Sequence, residues 1–207
     1  GISHRIVQND LDGLINILLW LSYIPSSRGL DAPLLISHVD ADINRPITFI
    51  PKKGIPYNPN WLLFGTIEEV TGIQLHGFFD HDSGMELLGG WSQSVVAGRA
   101  RLGGIPCGFI TVDTHTTETV IPADPAAKDS QEEIQLRPAQ VWFPDSSYKT
   151  AQVMWDLAAE DLPLFIFANW RGFSGGMRDM FDEVLKFGSY IVDSLRHLKQ
   201  PIFVYLP

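Results

Sequence analysis

Two short apolar runs, residues 163–168 (PLFIFA) and 201–206 (PIFVYL), constrain the fold most. Each is too short for a buried helix and carries no charge, so each reads as a buried strand. Helix-like runs surround them: 146–159 after Pro144-Asp145, then 177–187 and 189–198, which meet at Gly188. Strand and helix alternating in this way argue for an α/β layer arrangement.

Upstream, residues 10–23 carry Leu11, Leu14, Leu18 and Leu21 on one helical face, widened by Ile15 and Leu19. Asn9 or Asp10 caps that helix and Pro25 stops it. Six prolines between residues 25 and 60 leave no helical period, so this stretch reads as an ordered connector with short strands such as 46–51. Ser83-x-x-Glu86 has the form of a capping box and predicts a helix over 83–97. A strand is expected over 105–112, after a turn at Gly103-Gly104, with Pro106 near its start. Residues 114–140 are polar and hold prolines, and read as a long loop.

The net charge of −9 and the lack of a Lys/Arg cluster argue against nucleic acid as a partner. The single cysteine, Cys107, excludes an internal disulfide and suits a reducing compartment. No apolar run approaches a membrane span, and no signal peptide is visible, so secretion is not expected. His81 between Asp80 and Asp82 raises a metal, but an acidic turn is the simpler reading and no metal site is expected.

The segment FANWRGFSGGMRDM, from Phe167 to Met180, bears most on function. It lacks the lysine and Ser/Thr of a nucleotide-binding P-loop, and Ser174 is not in G-x-S-x-G. Glycines let backbone N–H groups approach a ligand, and Arg171 at a strand end suits a carboxylate or phosphate. The same pattern also fits a plain turn in which Arg171 pairs with Asp179 or Asp182. Gly188-Ser189 reads either as a kink or as a helix start whose free N–H groups stabilise an oxyanion.

Several longer stretches carry a family likeness: GRARLGGIPCGFITVDT, IPADPAAKDS, AQVWFPDSSYKTAQ, ANWRGFSGG, VLKFGSYIVD and KQPIFVYLP. Together they resemble the carboxyltransferase component of eukaryotic multidomain acetyl-CoA carboxylase. The resemblance implies a crotonase-like ββα-superhelix, present in part. Residues 1–25 would be the tail of the first (N) subdomain, 26–75 a connector, and 76–207 the first half of the second (C) subdomain. It implies transfer of CO₂ from carboxybiotin to acetyl-CoA, giving malonyl-CoA for fatty-acid synthesis. The alternatives are a propionyl-CoA-type carboxyltransferase and a catalytically silent scaffold or dimerisation module.

Carried over residue by residue, Arg171 would hold the malonyl carboxylate. Backbone N–H groups of Gly188 and Ser189 would meet the biotin ureido oxygen. Phe173, Gly175 and Gly176 would line the acyl and biotin site, with Trp142 and Val184 at the dimer-facing cleft. Biotin would arrive on a carboxyl carrier domain elsewhere in an ATP-using parent, and the N subdomain of a dimer partner would complete the site. The residues that bind CoA would lie outside this chain, so the piece alone is expected to be inactive. Cytoplasm and plastid both fit. The likeness is imperfect at Asp113-Thr114-His115-Thr116, where the family commonly has E-T-R-T, and at Ala139, where it has Gly.

Overall fold

The computed structural model describes residues 3–27, 29–35 and 44–206. The first helix, α1 (Asp10–Leu21), begins where expected: Asn9 Oδ1 accepts the Asp12 N–H at 2.9 Å. Its leucine face is nevertheless uncovered, and no residue of α1 is buried. The proline-rich stretch contains α2 (Pro59–Phe64) and a small antiparallel pair, β1 (Thr66–Ile67) and β2 (Gln74–Leu75). Residues 46–51 form no strand; instead Thr48 and Phe49 donate their N–H groups to the His76 carbonyl at 3.0 and 3.1 Å.

The helix expected over 83–97 is absent. A two-residue strand, β3 (Met85–Glu86), is followed by turns and then by β4 (Val95–Leu102). Gly84, Gly89 and Gly90 weaken a helix there, and the β-branched Val95-Val96 favours a strand. β4 returns as β5 (Ile105–Val112) through Gly103 and Gly104, both at positive φ (58° and 82°). Two such residues match the twist of a two-residue hairpin. The buried Asp80 carboxylate accepts both glycine N–H groups, at 2.8 and 2.7 Å, and fixes this turn.

The stretch expected to be a loop, 114–140, holds an antiparallel ribbon, β6 (Thr117–Ile121) with β7 (Glu133–Arg137). Its strands alternate between partly covered and exposed residues and bury nothing fully, so they lack the signal of a core strand. Then come β8 (Val141–Trp142), α3 (Pro144–Ala159), β9 (Leu164–Phe167), β10 (Gly172–Phe173), α4 (Met177–Phe181), α5 (Val184–His197) and β11 (Ile202–Tyr205). The break between the last two helices lies at Asp182-Glu183, not Gly188. Glu183 takes a left-handed conformation (φ 65°) as the N-cap of α5, and Gly188 lies within α5.

The main sheet runs β11-β9-β5-β4-β3, parallel among β5, β9 and β11 and antiparallel from β5 to β3. Both faces are covered. Val95, Ala97 and Ile110 pack with Met154 and Leu157 of α3 and Ile191 of α5. Val96, Ala100, Cys107 and Phe109 pack on the opposite face against Leu63 of α2 and Phe79. The proline-rich stretch therefore supplies a cover for the sheet. The period of two along β4 and β5 assigns these sides.

Charge inside this body is paired. Arg99, 4% exposed, makes a forked pair with Glu160 at the end of α3, its Nε 2.7 Å from Oε2. Trp20 of α1 donates to the same carboxylate at 3.0 Å. Arg101 donates to the carbonyls of Pro33 (2.9 Å), Gly104 (3.1 Å) and Ser22 (2.5 Å), and lies over the Tyr23 ring. Lys149, wholly buried, donates to the carbonyls of Trp91, Ser92 and Val95 at 3.0, 3.3 and 2.6 Å. Burial pushes its pKa down to about 8, opposed by Glu86 and Asp145.

Candidate active site

Parallel pairing brings the C-terminal ends of β9 and β11 to one edge of the sheet, where crevices form in open α/β folds. The chain leaves β9 through Ala168, whose N–H reaches the Tyr205 carbonyl at 2.8 Å. It is then caught by the segment before α3. Arg171 N–H donates to the Gln140 carbonyl and Ser174 N–H to the Trp142 carbonyl, both at 2.7 Å. Gln140, itself at positive φ (62°), returns a side-chain bond to the Asn169 carbonyl at 3.0 Å. The result is the parallel pair β8–β10, with Phe173 opposite Trp142.

Three rings stack on this pair. Trp142 lies between Trp170 (4.3 Å, 12°) and Phe173 (5.0 Å, 24°). Its indole N–H donates to Thr150 Oγ1 of α3 at 3.3 Å. The Phe173 ring rests on α5 at Gly188, where a Cβ would stand 2.7 Å from Phe173 Cε1. Only glycine allows that approach. Trp142, Phe173 and Gly188, far apart in sequence, thus form one unit.

The glycine loop turns at Ser174, whose hydroxyl donates to the buried Asp179 carboxylate and accepts the Gly176 N–H at 3.3 Å. Beside Gly175 nothing lies within 4 Å, while Gly176 is the N-cap of α4. Val184 is fully buried and Leu185 beside it is exposed. Ser189 is exposed, and its hydroxyl donates to the Lys186 carbonyl at 2.7 Å. The first α5 ladder bond runs from Phe187 N–H to the Glu183 carbonyl at 3.1 Å. Gly188 and Ser189 follow it, so the unbonded first-turn N–H groups belong to Val184, Leu185 and Lys186.

The turn reading of Arg171 does not hold. Asp179 is taken by Ser174 and Asp182 by Arg178 at 3.5 Å, and among the described residues the Arg171 guanidinium has no ion pair. Arg171 is exposed on a cleft of about 540 Å³ whose other wall is the 51–57 segment. Of the eight residues singled out in the sequence, this cleft takes in Arg171 alone. Sequence reasoning missed Lys52, Lys53 and Tyr57 in its lining; the signal was a Lys-Lys-Gly turn between two prolines. Tyr57 titrates higher than usual because it is half buried, with Asn169 opposing. Cys107, 1% exposed, sits in the core with its thiol pushed well up by burial, so it offers no nucleophile. Among the described residues no group of His, Cys, Asp and Glu could hold a metal, and no helix is long and apolar enough to cross a membrane.

A crevice edge with a glycine loop, and an arginine that has no ion pair among the described residues, make this an α/β protein with a candidate anion site. The chain belongs to the carboxyl transferase domain family, whose model matches residues 1–207. It is 51% identical over 208 residues to an acetyl-CoA carboxylase of Schizosaccharomyces pombe and 52% over 211 residues to one of Dictyostelium discoideum. It is 50% identical to a mitochondrial acetyl-CoA carboxylase of Saccharomyces cerevisiae. All of this chain is covered in each case, and it spans 9% of the length of those relatives. The solved structure of transcarboxylase 12S, a hexamer with methylmalonyl-coenzyme A and methylmalonic acid bound, superposes with a TM-score of 0.73. That match covers 98% of this chain and 34% of the other at 14% identity, and establishes a shared fold, the crotonase-like one.

Proposed function

We propose that this chain supplies one half of the carboxyltransferase site of a biotin-dependent acetyl-CoA carboxylase, which makes malonyl-CoA from acetyl-CoA. The carrying observation is Arg171, exposed on a crevice just before β10 and without an ion pair among the described residues. A guanidinium fork matches a carboxylate, the group that distinguishes malonyl from acetyl. The family membership and the identity to acetyl-CoA carboxylases support the substrate class.

Biotin, carried covalently on another domain, supplies the carboxyl group to be transferred. The residues present fit such a group: the half-exposed Phe173 ring offers a flat apolar face, and space is open beside Gly175. Gly188 and Ser189 are the proposed contacts for its ureido oxygen. Their N–H groups lie in the second turn of α5, so an oxygen bound there shares each hydrogen with a helix carbonyl. Arg171 fixes the carboxylate so that it meets the acetyl methyl in a reactive geometry. The stack of Trp170, Trp142 and Phe173 builds that wall from rings.

Exposed apolar residues on β10, α4 and the start of α5 (Phe173, Met177, Phe181 and Leu185) suit contact with the N subdomain of a dimer partner. Cytoplasm and plastid remain the proposed settings; the name of the yeast relative adds the mitochondrion. The test is Arg171→Ser or Arg171→Ala in the full-length enzyme. Carboxyl transfer should fall roughly a hundredfold, the scale of losing one preorganised donor to a charged group. Wild-type kinetics in either variant refutes the role.

A further inference from the structure

Arg171 is placed by backbone bonds rather than by a salt bridge. Residues 168–171 belong to no helix or strand, and the arginine has no ion pair among the described residues. A long exposed side chain keeps many rotamers, so its aim depends on where its backbone is fixed. The Ala168 N–H is held by the Tyr205 carbonyl and the Asn169 N–H by that of Phe167, at 2.8 and 3.0 Å. Beyond them, one residue grips the stretch twice.

That residue is Gln140. Its carbonyl accepts the Arg171 N–H at 2.7 Å, and its side-chain Nε2 donates to the Asn169 carbonyl at 3.0 Å. Trp170, between these two points, stacks on Trp142 at 4.3 Å. Residues 169, 170 and 171 are thus each fastened to the 140–142 segment. Gln140 and Asn169 are partly covered and line the same cleft as Arg171.

The choice of glutamine carries the inference. Gln140 holds φ at 62°, a left-handed conformation that residues other than glycine, asparagine and aspartate seldom adopt. At Gly103 and Gly104 the hairpin of β4 and β5 meets the same demand with glycine. A turn alone gives no reason for a glutamine here. Its amide does, because it reaches across to the Asn169 carbonyl. We propose that Gln140 is the positioning residue for Arg171, setting the place from which the guanidinium meets the carboxylate. It acts through Arg171 and not on the substrate itself. This rests on the reading of Arg171 given above.

The test uses the full-length enzyme with two variants. Gln140→Met keeps the bulk and removes the donor; Gln140→Gly removes the side chain and suits the positive φ, so the turn still forms. Calorimetry measures malonyl-CoA and acetyl-CoA binding to each, alone and combined with Arg171→Ala. Malonyl-CoA affinity should fall about tenfold in both variants, the scale of a displaced rather than a deleted contact, and acetyl-CoA affinity should move less than twofold. On the Arg171→Ala background the same substitutions should add less than twofold, since both act on one contact. Hydrogen exchange should quicken in a peptide covering 168–174 and stay as in wild type over α3 and β5. Equal loss of both ligands, a loss that persists at full size on Arg171→Ala, or wild-type malonyl-CoA affinity in both variants overturns the positioning role. Failure of the Arg171 reading looks different, because Arg171→Ala alone then keeps its malonyl-CoA affinity. In that case exchange decides: quickening confined to 168–174 supports the positioning role, and wild-type exchange there overturns it.

Discussion

The hairpin of β4 and β5 and the rim of the crevice use the same residue type in opposite ways. Arg99 and Arg101 in the hairpin are nearly buried, and both are held by acceptors from elements distant in sequence. Arg171 at the rim is exposed and unpaired among the described residues. The hairpin arginines tie the α1 segment and α3 to the sheet. The rim arginine is left open to be completed by something else. Saturated charge marks architecture here, and unsaturated charge is what the proposed site would use.

That contrast breaks most visibly at Arg99. Arg99→Ala leaves the mostly covered Glu160 carboxylate with the Trp20 N–H alone, and breaking such a pair costs about 3 kcal/mol. Hydrogen exchange in β4 and β5 should quicken by roughly a hundredfold or more. Protection equal to wild type contradicts the structural role.

Lys149 comes next. Lys149→Met leaves three carbonyls of the 91–95 segment without their donor, a loss of about 2–3 kcal/mol seen as a lower thermal midpoint. The pH dependence has a definite sign. The folded pKa, about 8, lies below the ordinary lysine value of 10.5, so the unfolded chain binds more protons between those limits. The contribution of this lysine is fully present above the unfolded pKa and fades as pH falls toward 8. Stability of the wild type measured against Lys149→Met should therefore improve from pH 8 toward 10.5.

Gly188→Ala is a smaller change that sharpens the rim. The added methyl meets Phe173 at 2.7 Å, and overpacking of this kind costs about 1–3 kcal/mol. The Phe173 ring has an exposed side and can tilt, so carboxyl transfer should suffer more than stability. An unaltered transfer rate, with α5 intact by circular dichroism, removes Gly188 from the site.

Legibility in the sequence follows the same division. β5, α3 and β9 were readable because strand runs and helix periods face a common core. β11 was readable as a strand, but the expectation that it is buried fails, because it forms the sheet edge with Phe203, Val204 and Tyr205 exposed. The 83–97 segment misled because β4 is buried almost throughout and shows no alternation, while Ser83-x-x-Glu86 imitated a cap. The ribbon of β6 and β7 was invisible because it buries no side chain completely. Gly188 looked like a helix break; contact with Phe173 accounts for the glycine instead. At the crevice, Arg171 and its glycines were legible as a motif. Lys52, Lys53 and Tyr57 were not, because only the folded chain brings the 51–57 segment to Arg171.

The central claim is that Arg171 holds the carboxylate that distinguishes product from substrate. Binding of malonyl-CoA and of acetyl-CoA to the full-length enzyme, wild type against Arg171→Met, tests it most directly. The account predicts that the variant loses malonyl-CoA affinity by roughly tenfold or more, the scale of a charge-assisted bond, with acetyl-CoA affinity unchanged. An equal loss for both ligands, or for neither, contradicts it.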